Sequence, residues 1–141
     1  MSGVGVIASV IYVSIQILHN TRAVRASAFQ QVINSFAAIS FDIAKDRSLV
    51  DLYLRGGRDF ASLGEVERAQ YSLMLLSFLR RAENVFFQSE THMIHTQHWS
   101  GIRESIKAII APTGARTCWG EIKNRVNPEF RAFVDKLIAE A

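Results

Sequence analysis

Three of the four histidines in this 141-residue chain lie within a stretch of seven residues, His92 to His98, in the sequence ETHMIHTQH. Histidine is a common metal ligand, and it is also the side chain that ordinarily changes charge near neutral pH. If the stretch is helical, His92 and His95 lie three residues apart on neighbouring positions of one face, with His98 further round the axis. The candidate chemistry is therefore metal binding or pH sensing by His92, His95 and His98.

The spacing of these histidines does not match the metal sites of two common enzyme classes. Zinc proteases of the HExxH type place two histidines four residues apart with a glutamate between them. Di-iron helical bundles use Glu-x-x-His pairs, whereas Glu90 lies two residues before His92 and five before His95. We therefore interpret the cluster chiefly as polar residues between two helices, and we predict no catalytic residues, no enzymatic activity and no cofactor.

Charge and cysteine content argue against a nucleic-acid-binding protein and against a disulfide-bonded one. The chain has 16 Lys and Arg residues and 13 Asp and Glu residues, which give a net charge of +3. The basic residues are spread from Arg22 to Lys136. A nucleic-acid-binding domain usually concentrates basic residues on one face, so we expect no nucleic-acid partner. The single cysteine, Cys118, excludes an internal disulfide, and we expect it to pack as a small apolar residue.

The elements that position the histidines begin with a strongly apolar segment. The first 21 residues contain no charged side chain, and Val4 to Leu18 reads VGVIASVIYVSIQIL. A membrane-spanning helix needs about 20 apolar residues, and a signal peptide needs a basic start and a cleavage site that this segment lacks. We predict a transmembrane segment over residues 1–20; the alternative is a core helix buried in the protein or in an oligomer.

Two arginines set the predicted orientation of this segment. Arg22 and Arg25 follow it at once, and positive residues favour the cytoplasmic side of a membrane. We therefore expect a single-pass protein with its N-terminus outside and residues 21–141 forming a helical cytoplasmic domain.

Small and polar residues form a stripe along the apolar segment. They are spaced by four, three, four and three residues, which keeps them on one helical face: Gly5, Ser9, Tyr12, Gln16 and His19. Small residues let helices approach closely in lipid, and polar ones hydrogen-bond between helices. The stripe predicts helix–helix packing, or alternatively the lining of a pore.

The remaining pattern predicts an all-α fold, with a long N-terminal helix followed by a compact bundle of about five shorter helices. The long helix continues to about Asp46, since no helix breaker intervenes. Below the apolar segment its apolar residues recur at helical spacing, at Phe29, Val32, Ile33, Phe36, Ile39 and Ile43.

Local signals place the ends of the shorter helices. We expect the second helix to run from Arg47 to Arg55 and to end at Gly56-Gly57, and the third to start with a capping box, Ser62-Leu-Gly-Glu65. The third helix should be the central one. The fourth, fifth and sixth are expected over Trp99 to about Ala111, Arg116 to Val126, and from Pro128 onward.

Two stretches, GVIASVIYVSIQILHNTRAVRASAFQ and LLSFLRRAENVFFQ, resemble an uncharacterised group of small bacterial proteins with one N-terminal membrane helix and a helical cytoplasmic part. The resemblance runs over most of the chain. It implies an all-α fold and a bacterial source, and hence the inner membrane as location. It implies no activity and supplies no binding residues.

Together these features favour a membrane-anchored helical protein of interaction or accessory type. Its expected partners are the lipid bilayer and either further copies of itself or a larger membrane complex. Two alternatives remain open: a channel-like homo-oligomer lined by the polar stripe, and a metal-binding sensor that uses His92, His95 and His98.

Overall fold

The computed structural model describes residues 2–140, and that part of the chain is mostly helical, with short turns between the helices and no strand. Met1 and Ala141, the outer ends of the two predicted domains, lie outside the described residues. The described residues form six α-helices, α1 to α6, and two short 3₁₀ turns, at Phe60–Ser62 and Lys123–Arg125. The predicted fold class is confirmed. The helices are α1 Ser2–Ala44, α2 Arg47–Arg58, α3 Glu65–Glu90, α4 Thr96–Ile110, α5 Thr113–Ile122 and α6 Pro128–Ala139.

Helix α1 is exposed in its first part and packed in its second. Its 43 residues give a length of about 64 Å at 1.5 Å per residue. Every residue from Gly3 to Ser27 is exposed, whereas a face beginning at Ala28 packs against α2 and α3. Of the six apolar residues expected on this face, only Ile33 is exposed; the five that are buried or half-buried are Phe29, Val32, Phe36, Ile39 and Ile43.

Helix α2 continues through the glycine pair that was expected to end it. The helix runs to Arg58, and Gly56 is buried inside it. A Cβ atom at Gly56 would lie 2.3 Å from Cδ2 of Tyr71 on α3, which no real side chain tolerates. Gly56 therefore allows α2 and α3 to pack closely. The prediction that it ends the helix was wrong, because a glycine that caps a helix and a glycine that admits a neighbouring helix look the same in sequence.

The start of α3 also differs from the predicted capping box. Ser62 belongs to the 3₁₀ turn, where its hydroxyl donates to the carbonyl oxygen of Asp59 at 2.9 Å. The N-cap is Gly64, whose N–H donates to the carboxylate of Glu67 at 3.2 Å. Glu67 also accepts from Arg55 at 2.7 Å, which ties α3 to α2. The bond from Arg55 has the largest effect in lowering the pKa of Glu67, and the bond from the N–H of Gly64 lowers it further.

Helix α3 is the central helix, as predicted, and it packs against α1, α2, α4 and α5. Its buried face includes Tyr71, Leu75 and Leu79. At its far end Phe86 packs with rings of α4 and α6, at centroid distances of 6.1 Å to Trp99 and 5.7 Å to Phe130. A single hydrophobic core therefore joins the helices that follow the exposed part of α1.

The ends of the last three helices were predicted with mixed success. Helix α4 begins at Thr96 and α5 at Thr113, three residues earlier in each case than predicted. Helix α5 ends at Ile122, and the next three residues form a 3₁₀ turn. The start of α6 at Pro128 is confirmed, and the side chain of Asn127 caps it by accepting from the N–H of Glu129 at 2.8 Å.

Helices α2 and α5 meet backbone to backbone. A Cβ atom at Gly114, near the start of α5, would lie 1.9 Å from the carbonyl oxygen of Gly56. The neighbour in that contact is rigid backbone, so a side chain at Gly114 cannot be accommodated by a rotamer change. The two glycines therefore set the distance between these helices.

We predict that Gly114→Ala destabilises the fold by about 1–3 kcal/mol, the usual cost of overpacking. The matched control is Gly120→Ala in the same helix, because a Cβ atom there meets nothing within 4 Å. That control should be neutral or stabilising by about 0.5–1 kcal/mol, since alanine is the better helix former. Urea unfolding of the detergent-solubilised protein measures both; equal free energies of unfolding for the two variants would contradict the close α2–α5 contact.

Candidate functional site

The exposed part of α1 is the most unusual surface of the protein. It contains a segment long and apolar enough to cross a membrane, with a mean hydropathy of 1.5 in an 18-residue window. None of that window is buried within the protein. The structure therefore contradicts the alternative that this helix is buried in the core of its own chain. An exposed apolar surface of this size normally requires a covering of protein or lipid.

The polar stripe on this helix is exposed, and two of its polar side chains bond within the helix. The hydroxyl of Ser9 donates to the carbonyl oxygen of Gly5 at 2.8 Å. The Nε2 amide of Gln16 donates to the hydroxyl oxygen of Tyr12 at 3.1 Å. Gln16 therefore keeps its carbonyl oxygen and a second amide proton free for another partner. His19 is exposed as well, at the end of the stripe nearer the domain.

A shallow groove runs beside the stripe. It includes Gly5 and Ser9 from the stripe, and its other walls come from valines and from Ser14, whose hydroxyl donates to the carbonyl oxygen of Val10 at 2.8 Å. At Gly5 nothing lies within 4 Å of the position of a Cβ atom. The groove is therefore open surface of the kind that the ridge of a second helix fills. Its lining residues are Gly5, Val6, Ser9, Val10, Val13 and Ser14.

The three clustered histidines lie in the connection from α3 to α4 and in the first turn of α4. Helix α3 ends at Glu90, so His92 and His95 do not share a helical face, and both lie between α3 and α4, as the interpretation of polar residues between two helices has it. His92 adopts a positive φ of 56°. His95 caps α4, its Nδ1 accepting weakly from the N–H of Gln97 at 3.4 Å.

His98 is held against α1 by an aromatic contact. Its ring stacks on Phe29 with a centroid distance of 4.0 Å and an interplanar angle of 23°. The rings of His95 and His98 are 6.3 Å apart and nearly perpendicular. The stack therefore fastens the start of α4 to α1 just where α1 changes from exposed to packed.

Across residues 2–140, no three His, Cys, Asp or Glu side chains come together as a possible metal site. The histidines instead face two arginines across a cleft of about 480 Å³, which we name the basic cleft. Guanidinium groups repel a metal cation, so their presence opposes the metal-sensor alternative. The basic cleft is lined by Arg22, Arg25, Ala26, Phe29 and Gln30 of α1, and by His92, Met93, Ile94, His95 and His98.

A second cavity lies in the packed part of the protein, between α1, α2, α3 and α4. It has a volume of about 240 Å³ and is mostly apolar, and it has no counterpart in the sequence-based expectations. Tyr71 lies along it, and burial raises the pKa of the Tyr71 phenol. This apolar cavity is lined by Ile39, Ser40, Ile43, Tyr53, Tyr71, Met74, Leu75, Phe78 and Ile109.

Cys118 is a packing residue, as predicted. It is fully buried on α5, with its sulfur 3.4 Å from the hydroxyl of Ser72 on α3. Burial raises the pKa of the Cys118 thiol, which therefore stays protonated and weakly nucleophilic.

No protein-family model matches the chain, and comparisons with curated proteins and with solved structures give no significant similarity. The function is therefore inferred from the groove, the basic cleft and the exposed helix themselves.

We predict that Cys118 resists alkylation by iodoacetamide in the folded protein at pH 8. Because its pKa is raised, the thiolate fraction at that pH is below that of an ordinary cysteine. Mass spectrometry should find labelling at least about tenfold slower in the folded protein than in urea, where the thiol is exposed. The urea-unfolded protein is the control, and equally fast labelling in the two states would show an accessible, reactive thiol.

Proposed function

We propose that this protein is a single-pass membrane protein of the bacterial inner membrane that acts as a helical interaction or accessory subunit and self-associates through α1. The observation that carries the proposal is the complete exposure of residues 3–27 on a helix whose continuation is packed into the domain. A surface so apolar is stable only when lipid or another protein covers it. The bacterial source and the choice of membrane rest on the sequence resemblance alone.

The dimensions of the exposed segment fit a bilayer. From Gly3 to Thr21 the chain carries no charged side chain, and these 19 residues span about 29 Å as a helix. The hydrocarbon core of a bilayer is about 30 Å thick. Bonding of the Ser9 and Ser14 hydroxyls to carbonyls of their own helix also suits a medium without water.

Arg22 and Arg25 support the orientation with the domain in the cytoplasm. They follow the uncharged segment at once, so in an anchored helix they would lie where the lipid headgroups begin. Basic residues flanking a membrane helix favour its cytoplasmic end.

The groove supports self-association rather than a pore. Gly5 and Ser9 form a small-x-x-x-small pair, the arrangement that brings two membrane helices into close contact. Gln16 lies further along the same face with hydrogen-bonding groups still free, which can join it to Gln16 or Tyr12 of a second copy. A pore would need these polar groups turned toward water, whereas Ser9 already bonds to its own backbone.

The membrane anchor is tested by fractionating cells that express the untagged protein and washing the membranes with alkaline carbonate. An integral anchor keeps the protein in the pellet, because the carbonate wash removes proteins that are held only by surface contacts. Release into the supernatant would overturn the anchor and favour a soluble oligomer with α1 at its centre.

Self-association is tested by Gly5→Leu, which fills the groove. We expect the dissociation constant of the oligomer to rise at least about tenfold, equivalent to about 1.4 kcal/mol, because the helices can no longer approach closely. Sedimentation equilibrium in neutral detergent measures it.

The matched control is Gly3→Leu, which makes the same change two residues away, about 200° round the helix. Nothing lies within 4 Å of a Cβ atom at either glycine, so neither change disturbs the fold of one protomer. Self-association through the groove is refuted if both variants associate as the unchanged protein does.

A further inference from the structure

We propose that the basic cleft binds the phosphate of an anionic phospholipid headgroup, more tightly when its histidines are protonated. This inference rests on the proposed membrane anchor for the source of the phosphate. It deepens that proposal, since it names a lipid class and the residues that recognise it.

The positive charge of the basic cleft comes from two elements that are far apart in sequence. Arg22 and Arg25 of α1 form one wall, and His92 and His95 with His98 form the other. Within residues 3–140, as far as their side chains are described, no acidic side chain lines the cleft. Among the described residues, neither arginine takes part in an ion pair, so both guanidinium groups can bind a ligand. Arginine suits phosphate because its planar group donates two parallel hydrogen bonds.

Helix α4 adds to the positive electrostatic potential of the basic cleft. Its N-terminus, capped by His95, lies at the cleft, and the first N–H groups of a helix carry partial positive charge. The cap is weak, at 3.4 Å from the N–H of Gln97 to Nδ1 of His95. An anion in the basic cleft therefore meets two arginines and three imidazoles, beside the first turn of α4.

The position and lining of the cleft favour a lipid over a soluble anion. Arg22 is the first charged residue after the uncharged segment, so in an anchored protein the cleft opens at the level of the headgroups. Basic clusters at this level attract anionic lipids. The cleft is also lined by Ala26, Phe29, Met93 and Ile94, apolar residues that suit the glycerol and upper acyl chains of a lipid.

The histidines make the site responsive to pH. An arginine side chain keeps its charge at physiological pH, whereas histidine ordinarily gains a charge between pH 8 and 5. The groups that face the imidazoles are Arg22 and Arg25 on α1, and no carboxylate lines the cleft on α1, α4 or the connection. A protonated imidazole adds to the attraction for an anion, so we expect binding to strengthen toward acidic pH; in His95 the second proton replaces the bond that Nδ1 accepts from the N–H of Gln97.

The test uses the full-length protein in dodecyl maltoside micelles, where membrane insertion plays no part. Phosphatidylglycerol or phosphatidylcholine is titrated in, and binding is followed by native mass spectrometry and by the shift in unfolding temperature. We expect binding of phosphatidylglycerol at least about tenfold tighter than that of phosphatidylcholine, with a larger preference at pH 6 than at pH 8. A preference that is the same at both pH values would overturn the role of the histidines.

Two sets of substitutions locate the site. The double variant Arg22→Gln/Arg25→Gln should lose the preference for phosphatidylglycerol at both pH values. Its control, Arg47→Gln/Lys136→Gln, removes the same charge from exposed positions outside the cleft and should keep that preference. The variant His92→Gln/His95→Gln, which keeps His98, should bind as the unchanged protein does at pH 8 and lose most of the gain at pH 6. Equal binding by the arginine variant and its control would overturn the proposal.

The source of the phosphate is tested with inorganic phosphate and glycerol 3-phosphate added in place of lipid. We expect both to need at least about a hundredfold higher concentration than phosphatidylglycerol for the same shift in unfolding temperature. If either soluble anion binds as tightly as the lipid, the lipid assignment is overturned and the cleft is a soluble-phosphate site. Because these measurements are made in micelles, their failure is distinct from release of the protein by alkaline carbonate.

Discussion

The continuity of α1 is the constraint on which the rest of the structure depends. No glycine or proline occurs between Val6 and Ala44, so one helix carries both the exposed apolar segment and the face that packs on α2 and α3. Separate elements joined by a linker could move independently, whereas one helix fixes their relation. The change from exposed to packed surface falls at Ala28, and there the stack of Phe29 on His98 brings the start of α4 to the same level.

The features that the sequence predicted well are those with local causes. The all-α class, the length of α1 and the start of α6 at Pro128 follow from periodicity, from the absence of helix breakers and from capping residues, which act within a few residues. Gly56 was misread for the complementary reason. A glycine that ends a helix and a glycine that admits a neighbouring helix look the same in sequence, and only the ring of Tyr71, 15 positions later, distinguishes them.

The basic cleft could not be predicted because its two walls are about 70 positions apart in the chain. The sequence drew attention to the histidines as a possible metal site and to Arg22 and Arg25 as signals of orientation, each within its own short window. The fold brings the two sets together on the walls of one cleft, where guanidinium groups beside the imidazoles oppose the binding of a metal cation. The stripe on α1, by contrast, was visible in the sequence because a single helix creates it. The valines that line the groove beside the stripe were not predicted.

An unbroken helix also resists twisting about its own axis. If the exposed segment turns about its own axis, the domain packed on the other end must turn through the same angle, since no flexible joint absorbs the motion. If two copies of α1 packed through either of two faces, the two arrangements would place the attached helical domains at different rotations about the axis of α1. The apolar cavity beside Ile39 and Ile43 lies at the far end of α1, about 27 Å beyond Thr21, and would be carried round by the same rotation.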